Sequence, residues 1–431
     1  MLKQNSLKYS LKIFIFTLYM NNSSFSYINL AHVPTFTDLL HDKEPTNILK
    51  LNKVVCKSNE NKQYRIIRYD KNILTTDVIS SYGLCRSVII NENNKVVSYA
   101  PSKSIPFDIF KEKYPDNANQ LLIASEFVEG TMINIFWDET IGLSGGWEIA
   151  TRNSVGANCG FFQSKSAKTF RTMFLEAAAE NNLIFDNLNK QYCFSFVLQH
   201  SENRIVIPFK KPQLYLVAAY SINHISDDVI EVYNNSLSLV KEFNWTNTTI
   251  KFPEVFTFTD YSQLIDKFAS MNAPYDIMGV VIQNEDTAER TKIRNPVYEE
   301  IKALRGNQPK LQYQYISLRK QGKVNDYLKH YNEHKDMFNE FKNQIHNFTN
   351  TLFANYLSCY VKKEKRLIEF PPQYRTHMFK LHQTYISELI NQKLYINKSF
   401  VINYVNNMDT ALLMYSLNFH HRKRAVDILQ T

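Results

Sequence analysis

At the turn Gly306-Asn307-Gln308-Pro309 the chain changes character, and this break restricts its fold more than any other feature does. Before it, from roughly Leu49 to Asn295, short β-branched and aromatic runs are separated by turn residues: Tyr64–Arg68, Ser87–Ile90, Thr131–Trp137, Glu148–Thr151, Tyr192–Leu198, Arg204–Ile207, Leu214–Tyr220 and Gly279–Ile282. Runs of this kind predict antiparallel strands. Asn93-Asn94 and the stretch from Asp138 to Gly146 read as hairpin connections. Between the strands, Phe170, Met173, Phe174, Ala177 and Ala178 recur at helical spacing, and Leu264, Phe268 and Met271 repeat the pattern. After the turn, strand-like runs stop. Long amphipathic stretches take over at Val324–Tyr360, Tyr374–Lys393, Ser399–Asn407 and Thr410–Asp427, interrupted by Pro371-Pro372. The expectation is an α+β body at 49–305, an all-helical domain at 306–431 and an extension at 1–48.

Charge follows the same division. Residues 306–431 hold 18 Lys and Arg against 9 Asp and Glu, whereas 1–305 hold equal numbers, so the whole +9 falls in the helical part. Such asymmetry points to a phosphate-rich partner. The basic residues there lie among aromatics: Arg319, Lys320, Lys362, Lys363, Lys365, Arg366, Arg422, Lys423 and Arg424 are candidates for RNA contact. Lys and Arg neutralise phosphates irrespective of sequence, and tyrosines stack on unpaired bases. The alternative is an ordinary solvated helical surface. Seven of the eleven histidines also lie there, and His330 and His334 stand one turn apart, but no third ligand accompanies them and no metal site is expected.

A content of 44% hydrophobic and 21% charged residues excludes extended disorder. Five cysteines without C-x-x-C spacing fit reduced thiols better than a disulfide framework, and so an intracellular protein. The apolar stretch Ile13–Tyr19 is short and lacks a small-residue cleavage site, so it is not read as a secretion signal. Met20 is expected to serve as the functional start.

Four segments carry chemistry. Cys85-Arg86-Ser87-Val88-Ile89-Ile90 is followed by Ala100-Pro101-Ser102-Lys103-Ser104; then come Glu126-Phe127-Val128-Glu129-Gly130-Thr131, Phe194-Ser195-Phe196-Val197 running into Ser201-Glu202-Asn203-Arg204-Ile205-Val206, and Met278-Gly279-Val280-Val281-Ile282 with Lys292-Ile293-Arg294. In order and spacing these resemble the signature of RNA ligases of the T-even phage, tRNA-repair type, within the covalent nucleotidyltransferase superfamily. The resemblance covers about Ile66 to Gly306. It implies an antiparallel-sheet nucleotidyltransferase (ATP-grasp-like ligase) domain, and such ligases also carry a helical C-terminal domain.

The same resemblance shows what has changed. Where the family's K-x-D-G-[ST] motif has its nucleophilic lysine, this chain has Phe127; the strand glutamate is Ser195, and the glutamate before G-V-V-I is Met278. A lysine nucleophile needs a lone pair on nitrogen, and a phenyl ring has none. What survives is what the resemblance implies for phosphate contact: Arg86, Lys103, Arg152, Arg204, Lys292 and Arg294, with Glu129 in the place of the motif aspartate. Lys292 and Arg294 alternate on one strand and so share a face. The expectation is an RNA-binding protein on a ligase fold, its adenylation impaired or lost, for single-stranded or tRNA-like RNA and ATP or another nucleotide. One alternative is an active ATP- and Mg²⁺-dependent RNA ligase with its nucleophile elsewhere, for instance at Lys103. Another is a scaffold for an acidic protein. The Lys-, Asn-, Ile- and Tyr-rich composition with few glycines suggests an AT-rich genome, and the resemblance overall is to homologues in large cytoplasmic DNA viruses, which implies host cytoplasm or a viral factory.

Overall fold

A computed structural model describes residues 27–420, apart from 45–46, 60, 117–120, 162–167, 236, 242–244 and 246. Arg422, Lys423, Arg424, Met20 and the Ile13–Tyr19 stretch lie outside the described residues. Two compact units divide the chain, Met1–Glu300 and Ile301–Thr431.

The first unit carries the strands β1 (Tyr27–Asn29), β2 (Leu49–Cys56), β3 (Lys62–Tyr69), β4 (Val88–Ile90), β5 (Val96–Tyr99), β6 (Leu122–Glu126) and β7 (Thr131–Asp138). The others are β8 (Gly146–Ala150), β9 (Tyr192–Gln199), β10 (Gln213–His224), β11 (Ile230–Asn235), β12 (Val255–Phe256), β13 (Gly279–Asn284) and β14 (Arg290–Arg294). They form three antiparallel sheets, in the orders β1-β11-β10-β9-β7-β8, β12-β6-β13-β14 and β2-β3-β4-β5. The architecture is the expected α+β one.

Side-chain alternation sets the layers. From the six-stranded sheet, Phe136, Cys193, Tyr220 and Val232 pack against Ile66, Val88 and Ile90 of the β2–β5 sheet. Its opposite face presents Ile133, Ile135, Phe194, Phe196, Leu198 and Leu214 to Met173, Phe174, Ala177 and Ala178 of the helix Phe170–Glu180. β9 is therefore covered on both sides, which is why it reads as a continuous apolar run. Thr169 starts that helix by accepting from the Thr172 amide. The third sheet packs Ala124, Val280, Ile282 and Ile293 on Phe110 and on Leu264 and Phe268 of the helix Tyr261–Phe268. The expected stripe ran on to Met271, but the helix stops at Phe268 and Met271 is exposed. Arg204–Ile207 differs too: it is not a strand, because the Val206 and Ile207 amides donate to the Glu129 carboxylate instead of to a sheet ladder.

In the second unit, the expected continuous stretch over Val324–Tyr360 is broken. A helix at Val324–His330 gives way to a 3-10 turn at Asn332–His334 and then to Lys335–Tyr356, with Tyr327, Tyr331, His334 and Phe338 stacked across the break. The helix Pro372–Thr384 starts at the diproline, as proline at a first helical position allows. Helices Lys398–Asn407 and Thr410–Leu417 are capped by Asn397 and Asp409. Among the described residues no helix is long and apolar enough to cross a membrane. The five cysteines are all free.

Two glycines hold the site's backbone in place. Gly130 has φ +148°, and a Cβ there would lie 2.4 Å from the Leu198 carbonyl oxygen on β9. Gly279 has φ +129°, and a Cβ there would lie 2.1 Å from the Ile293 carbonyl oxygen of β14. Neither position admits a side chain without moving a sheet backbone. Gly130→Ala should therefore cost about 1–3 kcal/mol. Trp137, Trp147 and Trp245 all lie in the first unit, so denaturant unfolding followed by tryptophan fluorescence reads this unit alone. An unchanged midpoint would show that the close approach is not constraining.

Candidate functional site

The turn Phe127-Val128-Glu129-Gly130 links β6 to β7, and the Phe127 amide donates to the Gly279 carbonyl at the head of β13 (3.4 Å). β14 runs antiparallel to β13 with Gly279 opposite Arg294 and Val281 opposite Lys292. Arg290, Lys292 and Arg294 thus project from one face of β14. The Lys292 amine lies 4.3 Å and the Arg294 guanidinium 5.4 Å from the centre of the Phe127 ring. The Arg294 contact, with a group that stays charged, contributes on the order of 0.5–2 kcal/mol.

A loop brings further cations to this strand. Arg290 donates twice to the Ser102 carbonyl (2.6 and 3.1 Å), Thr291 donates to the Ile105 carbonyl, and the Ile105 amide returns a bond to Arg290. The Lys103 amide is tied to the Gly83 carbonyl, just before Arg86. Arg152 lies over the Tyr69 ring at 4.6 Å and donates to the backbone carbonyls of Arg86 and Tyr69.

Crowding of like charge shapes the electrostatics. Lys292 is half-buried, and loss of solvent together with the charges of Arg290, Arg86, Arg294 and Lys103 pushes its amine down to about 6. Burial, then neighbouring cations, also lowers Lys103, Arg86 and Lys71. Arg294 has a carboxylate partner, Glu299, at 2.6 Å. A group of cations held against one another is a ready site for a phosphoanion.

Where the resembled motif has carboxylates, Ser195 and Glu129 are hydrogen-bonded within the protein. Ser195 is fully buried and donates to Asn134 Oδ1 across the β7–β9 pair (2.7 Å). Met278 offers no side-chain oxygen. Glu129, expected among the phosphate-binding residues, is 2% exposed, and its Oε1 accepts from the Val206 and Ile207 amides at 2.9 and 3.0 Å. It faces the core and clamps the 206–207 loop. These three residues do not fit a divalent cation, and no group of three His, Cys, Asp or Glu able to hold one occurs among the described residues.

The structure thus brings Arg86, Lys103, Lys292 and Arg294 together, with Arg152 anchored beside them through backbone carbonyls. Arg290 and Lys71 escaped sequence reasoning, although Arg290 lies two residues before Lys292 and so on the same strand face. Lys103, named as a substitute nucleophile, is exposed and bonded to the Ser104 carbonyl. In the second unit, Arg319 and Lys320 end the helix Leu311–Lys320. Lys362 pairs with Glu364 (3.7 Å) and Arg366 with Glu369 (3.4 Å). Lys363 and Lys365 are exposed on the same segment, and close by in sequence Tyr360 stacks on His382 at 3.8 Å.

A phosphoanion beside Lys292 favours the ammonium form and raises its pKa, so binding takes up a proton. With a free amine near 6, affinity should strengthen as pH falls from about 8 towards 6 and level off below. Calorimetric titration with pyrophosphate at neutral pH, in two buffers of different ionisation enthalpy, should show uptake on the order of one proton. Lys292→Met should abolish it. Uptake that persists in this variant would assign the proton to another group.

No protein-family model matches the chain. An RNA ligase of Rhodothermus phage RM378 is 26% identical over 206 residues, covering 41% of this chain and 44% of that protein. An immediate-early protein ICP-46 homologue of Invertebrate iridescent virus 6 is 26% identical over 214 residues, covering 45% and 43%. The chain thus spans under half the length of these curated relatives. Solved structures that resemble it include an apo Naegleria gruberi RNA ligase (15% identity, 58% of this chain and 76% of that one, TM-score 0.35) and an archaeal ATP-dependent RNA ligase (10%, 62% and 62%, TM-score 0.38). In its motif residues and against the phage relative, the chain is similar to RNA ligases of the nucleotidyltransferase type.

Proposed function

We propose that this protein binds RNA and a phosphate-bearing nucleotide or RNA end on an RNA-ligase fold, and that the adenylation step proper to the motif is lost at position 127. The observation that carries the reading is the assembly of Arg86, Lys103, Arg290 and Arg294 about Lys292, with Lys292 and Arg294 set against a phenyl ring that stands in the nucleophile's place. Guanidinium forks and ammonium groups grip phosphate without needing a nucleophile beside them. The phage relative's name supplies RNA as the polymer. The basic second unit adds affinity that ignores sequence, through Arg319, Lys320, Lys362, Lys363, Lys365 and Arg366.

A scaffold for an acidic protein would leave the Phe127 cluster without a role, and is the weaker reading for that reason. Binding by the cluster and binding by the basic helices separate experimentally. Arg86→Gln with Arg294→Gln should remove a preference for 5′-phosphorylated over 5′-hydroxyl single-stranded RNA. Lys362, Lys363, Lys365 and Arg366 changed to Gln should weaken both RNAs alike, and flatten the dependence of log affinity on log salt by roughly 0.7 for each phosphate that is no longer neutralised. Fluorescence anisotropy at several salt concentrations measures both. If the unaltered protein shows no preference for the phosphate, and the pocket variant binds as it does, the cluster is not a phosphate site.

A further inference from the structure

We infer that Lys292 has taken over as a nucleophile: its amine, standing on β14 against the Phe127 ring, attacks the α-phosphorus of a nucleoside triphosphate and carries the nucleotide as a phosphoramidate. The inference rests on the reading above, that a nucleotide's phosphates occupy the cation cluster.

Position comes first. Phe127 brings a ring where the family has an amine, and the amine in contact with that ring belongs to Lys292, 4.3 Å from its centre. Among the described residues, Lys292 Nζ makes no hydrogen bond or ion pair that would occupy its lone pair. Lys103 is exposed and already bonded, and arginine has no nitrogen lone pair to offer at ordinary pH. The β13–β14 pairing, with Gly279 pressed against the Ile293 carbonyl, fixes where Lys292 projects.

Environment comes second. An amine partly withdrawn from water and placed beside other cations loses its proton more readily, which is one of the recognised ways to make lysine nucleophilic. Arg290, Arg86, Arg294 and Lys103 surround this one and hold its amine at about 6 before a phosphate binds; the ammonium that a bound phosphate favours gives up its proton as pH rises, and that frees the lone pair for attack. Those same cations face the phosphates. They supply positive charge that Ser195 and Met278 no longer supply through a bound metal.

The step balances without a redox partner. The Nζ lone pair forms a P–N bond, the bond from the α-phosphorus to its bridging oxygen breaks, and the electron pair leaves with pyrophosphate. One amine proton passes to solvent. A bound phosphate raises the amine's pKa, so capture and binding should respond oppositely to pH: capture rising with alkalinity, binding weakening.

Full-length protein incubated with α-³²P-labelled ATP and magnesium, then denatured, should carry label that is acid-labile, alkali-stable and mapped by mass spectrometry to Lys292. Label should fall at least about tenfold in Lys292→Met and also in Lys292→Arg, which keeps the positive charge but has no usable amine. Tryptophan fluorescence checks that each variant is folded. ATP binding is measured in parallel by equilibrium dialysis. Binding without label, or label on another lysine, overturns the nucleophile and leaves the binding function standing. Absence of binding overturns both.

Discussion

Like charge packed against a ring is the constraint around which the site is arranged. Arg86, Lys103, Arg290, Lys292 and Arg294 would drift apart if they stood on mobile loops, since like charges repel and Glu299 neutralises only Arg294. Backbone pairing prevents this. Three of them share a strand face fixed by the β13–β14 ladder, and the Arg290–Ser102 and Ile105–Arg290 bonds bring Lys103 to the same place. Phe127 fits this setting because an aromatic face attracts cations, whereas a lysine at that position would add a further positive charge to a group already short of counter-ions.

Backbone geometry and side-chain identity diverge in the motif. Gly130 and Gly279 keep backbone conformations that no other residue adopts there at low cost, while the positions that handle the nucleotide in the family hold Phe127, Ser195 and Met278. Ser195 shows how such a replacement is tolerated: a buried carboxylate would need a cation or several hydrogen-bond donors beside it, but a hydroxyl is satisfied by Asn134 across the sheet. Glu129 is the converse case, a carboxylate kept at a buried position because two main-chain amides solvate it.

Much of this was legible in the sequence and some was not, for identifiable reasons. Strand alternation exposed the shared face of Lys292 and Arg294, and helical spacing marked Phe170–Glu180, because both patterns are local. Arg204–Ile207 has a strand-like composition, yet a side chain 77 residues away takes its amides, and no local pattern carries that information. Glu129 looked like a ligand residue because spacing says nothing of which way a side chain turns. The break at Tyr331 was hidden because its apolar positions continue the helical period, and only the stacking of four rings shows where the axis changes. The proton affinity of Lys292 depends on residues from three separate segments, so it emerges only from the fold.

The Arg294–Glu299 pair gives the cluster a built-in competitor. Glu299 lies on the helix Pro296–Arg305 directly after β14, so it is tethered beside the guanidinium at a high effective concentration. An incoming anion gains from Arg294 only what it offers beyond that carboxylate. A singly charged ligand offers little more and leaves the exchange nearly neutral, whereas a polyphosphate spreads several charges over Arg86, Arg290, Lys292 and Arg294 together and displaces Glu299 with energy to spare. For the anion site proposed above, the tether would set a threshold of ligand charge, favouring polyanions over small carboxylates and monovalent anions.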